Sequence, residues 1–242
     1  MGTMETMDLN VEVVDKETQF FAEQPGYPAY QMDLLEAANL YRDKNRDYGG
    51  GDPFGNFKSV EKFGMEPWLG VIVRLSDKVN RVAVLAASGK PGYVKDESIE
   101  DTLLDLGVYS LICLAIMTPN LNKAAPGSLF NNWPGHYLFY EALLTLSGRH
   151  VHQVLSLDSP NSIYAAHERW FYGVAIIDSR WHSLVKSVSD IINEDITNVQ
   201  DVYDILMPKL VILAEAAFLC RLYRYWWACL TNGDRSGAEG GI

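Results

Sequence analysis

Apolar and polar positions along this chain recur with the period of helices, not of strands. Between Trp68 and Ala87, Val71, Ile72, Leu75, Val79, Val82 and Ala83 return every three or four residues and define one apolar side. The other side carries Arg74, Asp77, Lys78 and Arg81, with Asn80 on its edge. Residues 31–46, QMDLLEAANLYRDKNR, predict a second amphipathic helix with Met32, Leu35, Ala38 and Leu40 inward. A short helix is expected over 57–63. The stretch from Lys95 to Met117, KDESIEDTLLDLGVYSLICLAIM, predicts a helix that is acidic in its first half and apolar in its second. Further helical segments fall near 136–147, 161–177, 178–193 and 198–231. Sustained strand alternation is missing, and Val11–Val14 is the one short strand candidate. The pattern predicts a mainly α fold, a helical bundle.

Breakers divide the chain. Residues 1–30 read as an extended arm with the turn-rich QPGYPAY, and 31–117 as a helical core. Pro, Asn and Gly crowd residues 118–135, TPNLNKAAPGSLFNNWPG, which makes that stretch the expected linker. Residues 136–231 form a C-terminal helical region, and 232–242, NGDRSGAEGGI, a mobile tail.

Composition narrows the function classes. A 48% apolar share and a 21% charged share in 242 residues describe a globular chain with a sizeable core. The net charge of −11 argues against a broad nucleic-acid surface. It leaves room for small phosphorylated ligands held by local cations. Cys113, Cys220 and Cys229 are unpatterned and sit in apolar runs, as expected of buried reduced thiols in the cytoplasm. No secretory signal is expected, and the longest apolar runs are too short or too charged to span a bilayer.

The acidic helix carries the strongest chemical signal. At 100° per residue, Glu97, Asp101 and Asp105 share an arc of about 80°. Leu104 and Val108 lie in or beside the same arc. Carboxylates set among leucines repel one another and lose hydration unless something compensates them. Either a divalent cation or a facing basic residue resolves the conflict. An antiparallel return through SGKPGYVK would bring Asp77 opposite Asp101. Asp96 or Ser98 would cap the acidic helix, and with Ser98 as cap Glu97 falls outside it.

As an ordered set, KNRDYGG, FKSVEKFG, GVIVRLSDKVNR and DESIEDTLLDLGVY resemble the phage and bacterial nucleotide modification associated domain. That domain is similar in character to the all-α nucleoside triphosphate pyrophosphatases, the MazG and dimeric dUTPase group. The resemblance spans residues 33–117. It implies a helical, often oligomeric, Mg²⁺-dependent enzyme acting on nucleotides, in the bacterial host cytoplasm if phage-encoded; a homo-oligomer is expected because isologous helical dimers are common. The reaction it implies is cleavage of a (deoxy)nucleoside triphosphate to monophosphate and pyrophosphate. By the same resemblance Asp77, Glu97 and Asp101 are metal ligands, and Asp105 is a further ligand or water-orienting base. Lys44, Asp47 and Tyr48 would touch the nucleotide, while Arg74, Lys78 and Arg81 would hold its phosphates. The chain departs from that group in carrying Asp77-x-x-Asn80 where two acids are usual, so one anionic ligand is missing.

Plainer readings stand beside these. Asp77 and Arg81 are spaced as a surface ion pair. Glu97, Glu100 and Asp101 near a helix start favour the helix dipole without any metal. KNRDYGG has the make-up of a helix C-terminus, and Gly49–Gly51 is not a P-loop. His150 and His152 point to different sides of a helix, which does not suit a metal pair. RLYRYWWACL reads as core or subunit interface. Two other functions remain open: a protein that sequesters a nucleotide without turnover, and a structural assembly subunit.

Overall fold

The structure is a computed structural model that describes residues 36–44, 47, 54–88, 98–117 and 160–231. Within them, residues 36–44 form α1 and Gly55–Lys58 the short α2, which runs into a 3₁₀ turn at Ser59–Phe63. Then follow α3 (Pro67–Ser88), α4 (Ile99–Met117), α5 (Ile163–Asn193) and α6 (Val199–Thr231). No strand occurs among the described residues, and the protein is a mainly α helical bundle. The expected arm at 1–30, the strand at Val11–Val14, Tyr48, Glu97, the linker 118–135, the helix 136–147, the two histidines His150 and His152, and the tail 232–242 lie outside the described residues.

Three helix starts and one helix end have local causes. Ser98 caps α4: its Oγ accepts from the Asp101 amide at 3.0 Å, while its own amide and hydroxyl donate to Asp101 Oδ2 at 2.9 and 2.8 Å. This reciprocal pairing is a capping box closed by Asp instead of Glu. Ser162 caps α5 through the Ala165 amide, and Asn198 caps α6 through the Gln200 and Asp201 amides. The α5 terminus is a Schellman turn. The Ile196 amide reaches the Ile191 carbonyl, the Asp195 amide reaches Ile192, and Asp195 takes φ +52°.

Four long helices close a ring in the order α3, α4, α6, α5, and α5 returns to α3. Lys78 faces Asp105, Arg81 faces Thr102 and the Trp68 carbonyl faces the Cys113 thiol, so α3 and α4 are antiparallel. Glu100 beside Arg224 and Gly107 beside Phe218 make α4 antiparallel to α6. Cys220 beside the Trp170 carbonyl and Trp227 beside His167 do the same for α5 and α6. The helices α4 and α6 are central, buried on most of their circumference, whereas α3 and α5 bury one stripe each. Gly107 is required where α4 crosses α6, because a Cβ there would lie 2.5 Å from the Phe218 ring.

Two expectations change. The expected break near 177/178 does not exist: α5 runs unbroken from Ile163 to Asn193. VAIIDSRWHS contains no breaker, and Gly173 within this helix lets Cys220 approach, a Cβ there lying 3.0 Å from its sulfur. In α1 the fully buried residues are Ala37, Ala38 and Tyr41, with Leu40 only partly covered. Pro208 lies within α6 as the unbroken 198–231 segment requires.

Candidate functional site

Asp105 sits in the second turn of α4 with its side chain 13% exposed. Two lysines from different helices hold it. Lys44 of α1 donates to Oδ1 at 2.5 Å and Lys78 of α3 lies 2.8 Å from Oδ2. The Lys44 ammonium also lies 5.7 Å from the Tyr109 ring centre, one helical turn on. Facing basic residues therefore compensate the carboxylate set among leucines.

The rest of the acidic half of α4 follows the same rule. Arg81 Nε donates to the Thr102 hydroxyl at 3.1 Å, and that hydroxyl donates back to the Ser98 carbonyl. Arg224 of α6 pairs with Glu100 at 3.2 Å while its guanidinium lies over Trp227 and Trp170. Arg221 pairs with Glu36 of α1 at 2.7 Å. Partial burial works against ionisation of Asp101. The Ser98 amide and hydroxyl, then Arg221 and Lys44, outweigh it and hold the carboxyl below its ordinary value.

Between α1 and the first half of α4 lies an open cleft of about 410 Å³. Glu36, Asn39, Asp43 and Lys44 line it from α1, and Asp101 and Asp105 from α4. Four carboxylates and one lysine make it an acidic recess with a cationic edge. Such a lining repels a bare polyanion.

The expected residues are thus only partly gathered. Lys44, Lys78, Arg81, Asp101 and Asp105 meet at the junction of α1, α3 and α4. Asp77 and Arg74 are exposed on α3, and Asp47 is exposed beyond Lys44. Asp77 does not come opposite Asp101. The register that sets Lys78 by Asp105 and Arg81 by Thr102 puts Asp77 level with Leu106, and Asp101 instead closes its own helix cap. Among the described residues no three of the His, Cys, Asp and Glu side chains are grouped to hold a metal ion. With Asp105 held by lysines and Asp101 by Ser98, the described residues do not fit a resident Mg²⁺ centre built on Asp77 and Asp101. Arg221 and Arg224 were not expected here. Their one sequence signal was the basic spacing within the aromatic run 221–230.

Fold and junction together define an all-α bundle with a cation-braced acidic helix beside an open cleft. Comparisons with protein-family models, curated proteins and solved structures returned no match. No helix among the described residues is long and apolar enough to cross a membrane.

Proposed function

We propose that the protein is a nucleotide phosphohydrolase that takes a (deoxy)nucleoside triphosphate, as its Mg²⁺ complex, at the junction of α1, α3 and α4. The observation that carries this reading is the convergence of Lys44 from one block of the chain, and Lys78 and Arg81 from another, on the acidic side of α4 beside an open cleft. Those blocks are the same ones that resemble the nucleotide modification associated domain. The ion belongs to the substrate in this reading and would offset phosphate charge against Glu36, Asp43 and Asp101.

The chain's own residues divide the work. Lys44 and Lys78 are ammonium donors already held within one hydrogen-bond length of an oxyanion, so phosphate oxygens compete with Asp105 for them. When the lysines turn to phosphate, both Asp105 oxygens are freed to accept a proton from an attacking water. Arg81 sits one turn from Lys78 and Arg74 one turn to its other side, which suits charge that develops on the leaving pyrophosphate. Such chemistry belongs in a bacterial cytoplasm, in the nucleotide metabolism of a phage.

One observation favours a second reading, binding without turnover. Both oxygens of Asp105 are occupied in this structure, so the same lysines could grip a nucleotide without freeing a base. Incubation with a panel of nucleoside and deoxynucleoside triphosphates, with Mg²⁺ and with EDTA, followed by ion-exchange separation, decides between the two. Monophosphate with pyrophosphate, formed only with the metal, supports the hydrolase. Unaltered nucleotide recovered from a tight complex supports the binder. A panel that neither reacts nor binds refutes both.

A further inference from the structure

The helix α5 bears two apolar stripes, and the bundle uses only one. Ala166, Trp170, Gly173, Ile177, Leu184, Val188 and Ile191 face the core. About 110° around the helix, at 100° per residue, lies a second row spaced seven apart: Tyr164, Phe171, Asp178, Val185 and Ile192. The four apolar members of that row are exposed, Tyr164 by 70% and Ile192 by 58%. Asp178 at the midpoint is exposed and its Oδ1 lies 3.4 Å from His182 Nδ1. A seven-residue repeat is the spacing that lets two helices stay in contact along their length.

We infer that this row is a two-fold interface on which a second copy of the chain docks, α5 against α5, antiparallel and centred on Asp178. The row is self-complementary in that direction. Tyr164 meets Ile192 of the partner subunit and Phe171 meets the partner's Val185, aromatic against aliphatic at both ends. Charge agrees on the flank: exposed Glu168 and Lys186 lie at about the same angle and nearly the same distance from Asp178, so the two-fold axis makes two opposite-charge pairs from them. At the axis itself the two Asp178 carboxylates, each beside its own His182, face one another and weaken the dimer. A parallel pairing would keep that repulsion and add Glu168 against Glu168 and Lys186 against Lys186. The row lies outside the block of the chain that carries the nucleotide reading and stands independently of it.

The size of the row sets the strength. A 31-residue helix is about 46 Å long and one helix wide, roughly 450 Å² of projected face per protomer. Over two protomers that is about 900 Å², below the range of stable specific interfaces and within that of weak, transient ones. The expected state is therefore a dimer that dissociates on dilution.

Sedimentation of the full chain across a wide concentration range tests this. Dimerisation that rises with concentration, and is lost in Phe171→Glu and in Val185→Glu but kept in Val84→Glu on α3, is expected. Oxidative crosslinking gives the direction. The described native cysteines are all buried, so Phe171→Cys and Val185→Cys introduce exposed thiols. Mixed, they should form a disulfide-linked heterodimer in preference to either homodimer. Reversing Glu168→Lys should weaken the dimer, and adding Lys186→Glu should restore it. A chain that stays monomeric at the highest concentration, a dimer indifferent to both glutamate substitutions, or crosslinking only within each single variant overturns the inference.

Discussion

Replacing Asp105 by Asn keeps the shape of the side chain and removes its charge, so it isolates what the two lysines contribute. Charge-assisted hydrogen bonds are worth about 1.5–3 kcal/mol when shielded from water. The Lys78 arm, 20% exposed, sits near the low end of that range. Lys44 is 38% exposed and re-solvates readily, so its arm is discounted to below about 1 kcal/mol. Together they give a loss of about 2 kcal/mol, since Asn still accepts one bond. For a chain of 242 residues that lowers Tm by about 4–8 °C. Lys78→Gln alone should cost about 1.5 kcal/mol, and the double variant less than the sum, with a coupling of about 1 kcal/mol. Urea unfolding followed by circular dichroism at neutral pH measures all three. An Asp105→Asn variant within about 0.5 kcal/mol of the parent, or strict additivity with Lys78→Gln, would refute the view that these lysines stabilise the carboxylate.

Gly107→Ala should destabilise by about 1–3 kcal/mol, because its Cβ meets the fully buried Phe218 ring, and Phe218→Leu in that background should recover part of the loss. Ser98→Ala should cost about 1 kcal/mol as a lost cap. Its penalty should also depend on acid. The Asp101 carboxyl titrates below its ordinary value when folded, so its share of stability is present above that value, about 3.9, and fades as pH falls below it. Unfolding curves of Ser98→Ala at neutral pH and near pH 3 should therefore converge toward the parent at the lower pH, to about the extent that Asp101 protonates. Burial pushes the Cys113 and Cys220 thiols far up from their ordinary range, so both should resist a thiol reagent in the folded chain and react once it is unfolded.

The helices were legible because their signals are local. Apolar spacing located α3, Ser98 stood ready as a cap, and the bundle class followed. The expected break in α5 had no breaker behind it in VAIIDSRWHS, and packing on α6 supports the unbroken helix. The site was legible as a conflict but not in its resolution. A carboxylate among leucines announces that a partner exists. Whether that partner is an ion or a lysine depends on a residue 61 positions away in sequence, Lys44, and on the α3–α4 register. Arg224, 124 positions from Glu100, was beyond any spacing rule. The second stripe of α5 stayed hidden because the core stripe overlays it in sequence, and exposure separates the two.

In the proposed function Lys44 and Lys78 exchange Asp105 for a nucleotide's phosphates. Calorimetric titration of the full chain with Mg²⁺-triphosphate, with Lys44→Gln and Lys78→Gln alongside, reads that exchange. Saturable binding that weakens about tenfold or more in each variant is expected, equal to about 1.4 kcal/mol per lost contact. Equal affinity in all three proteins, or no binding to the parent chain, would contradict it.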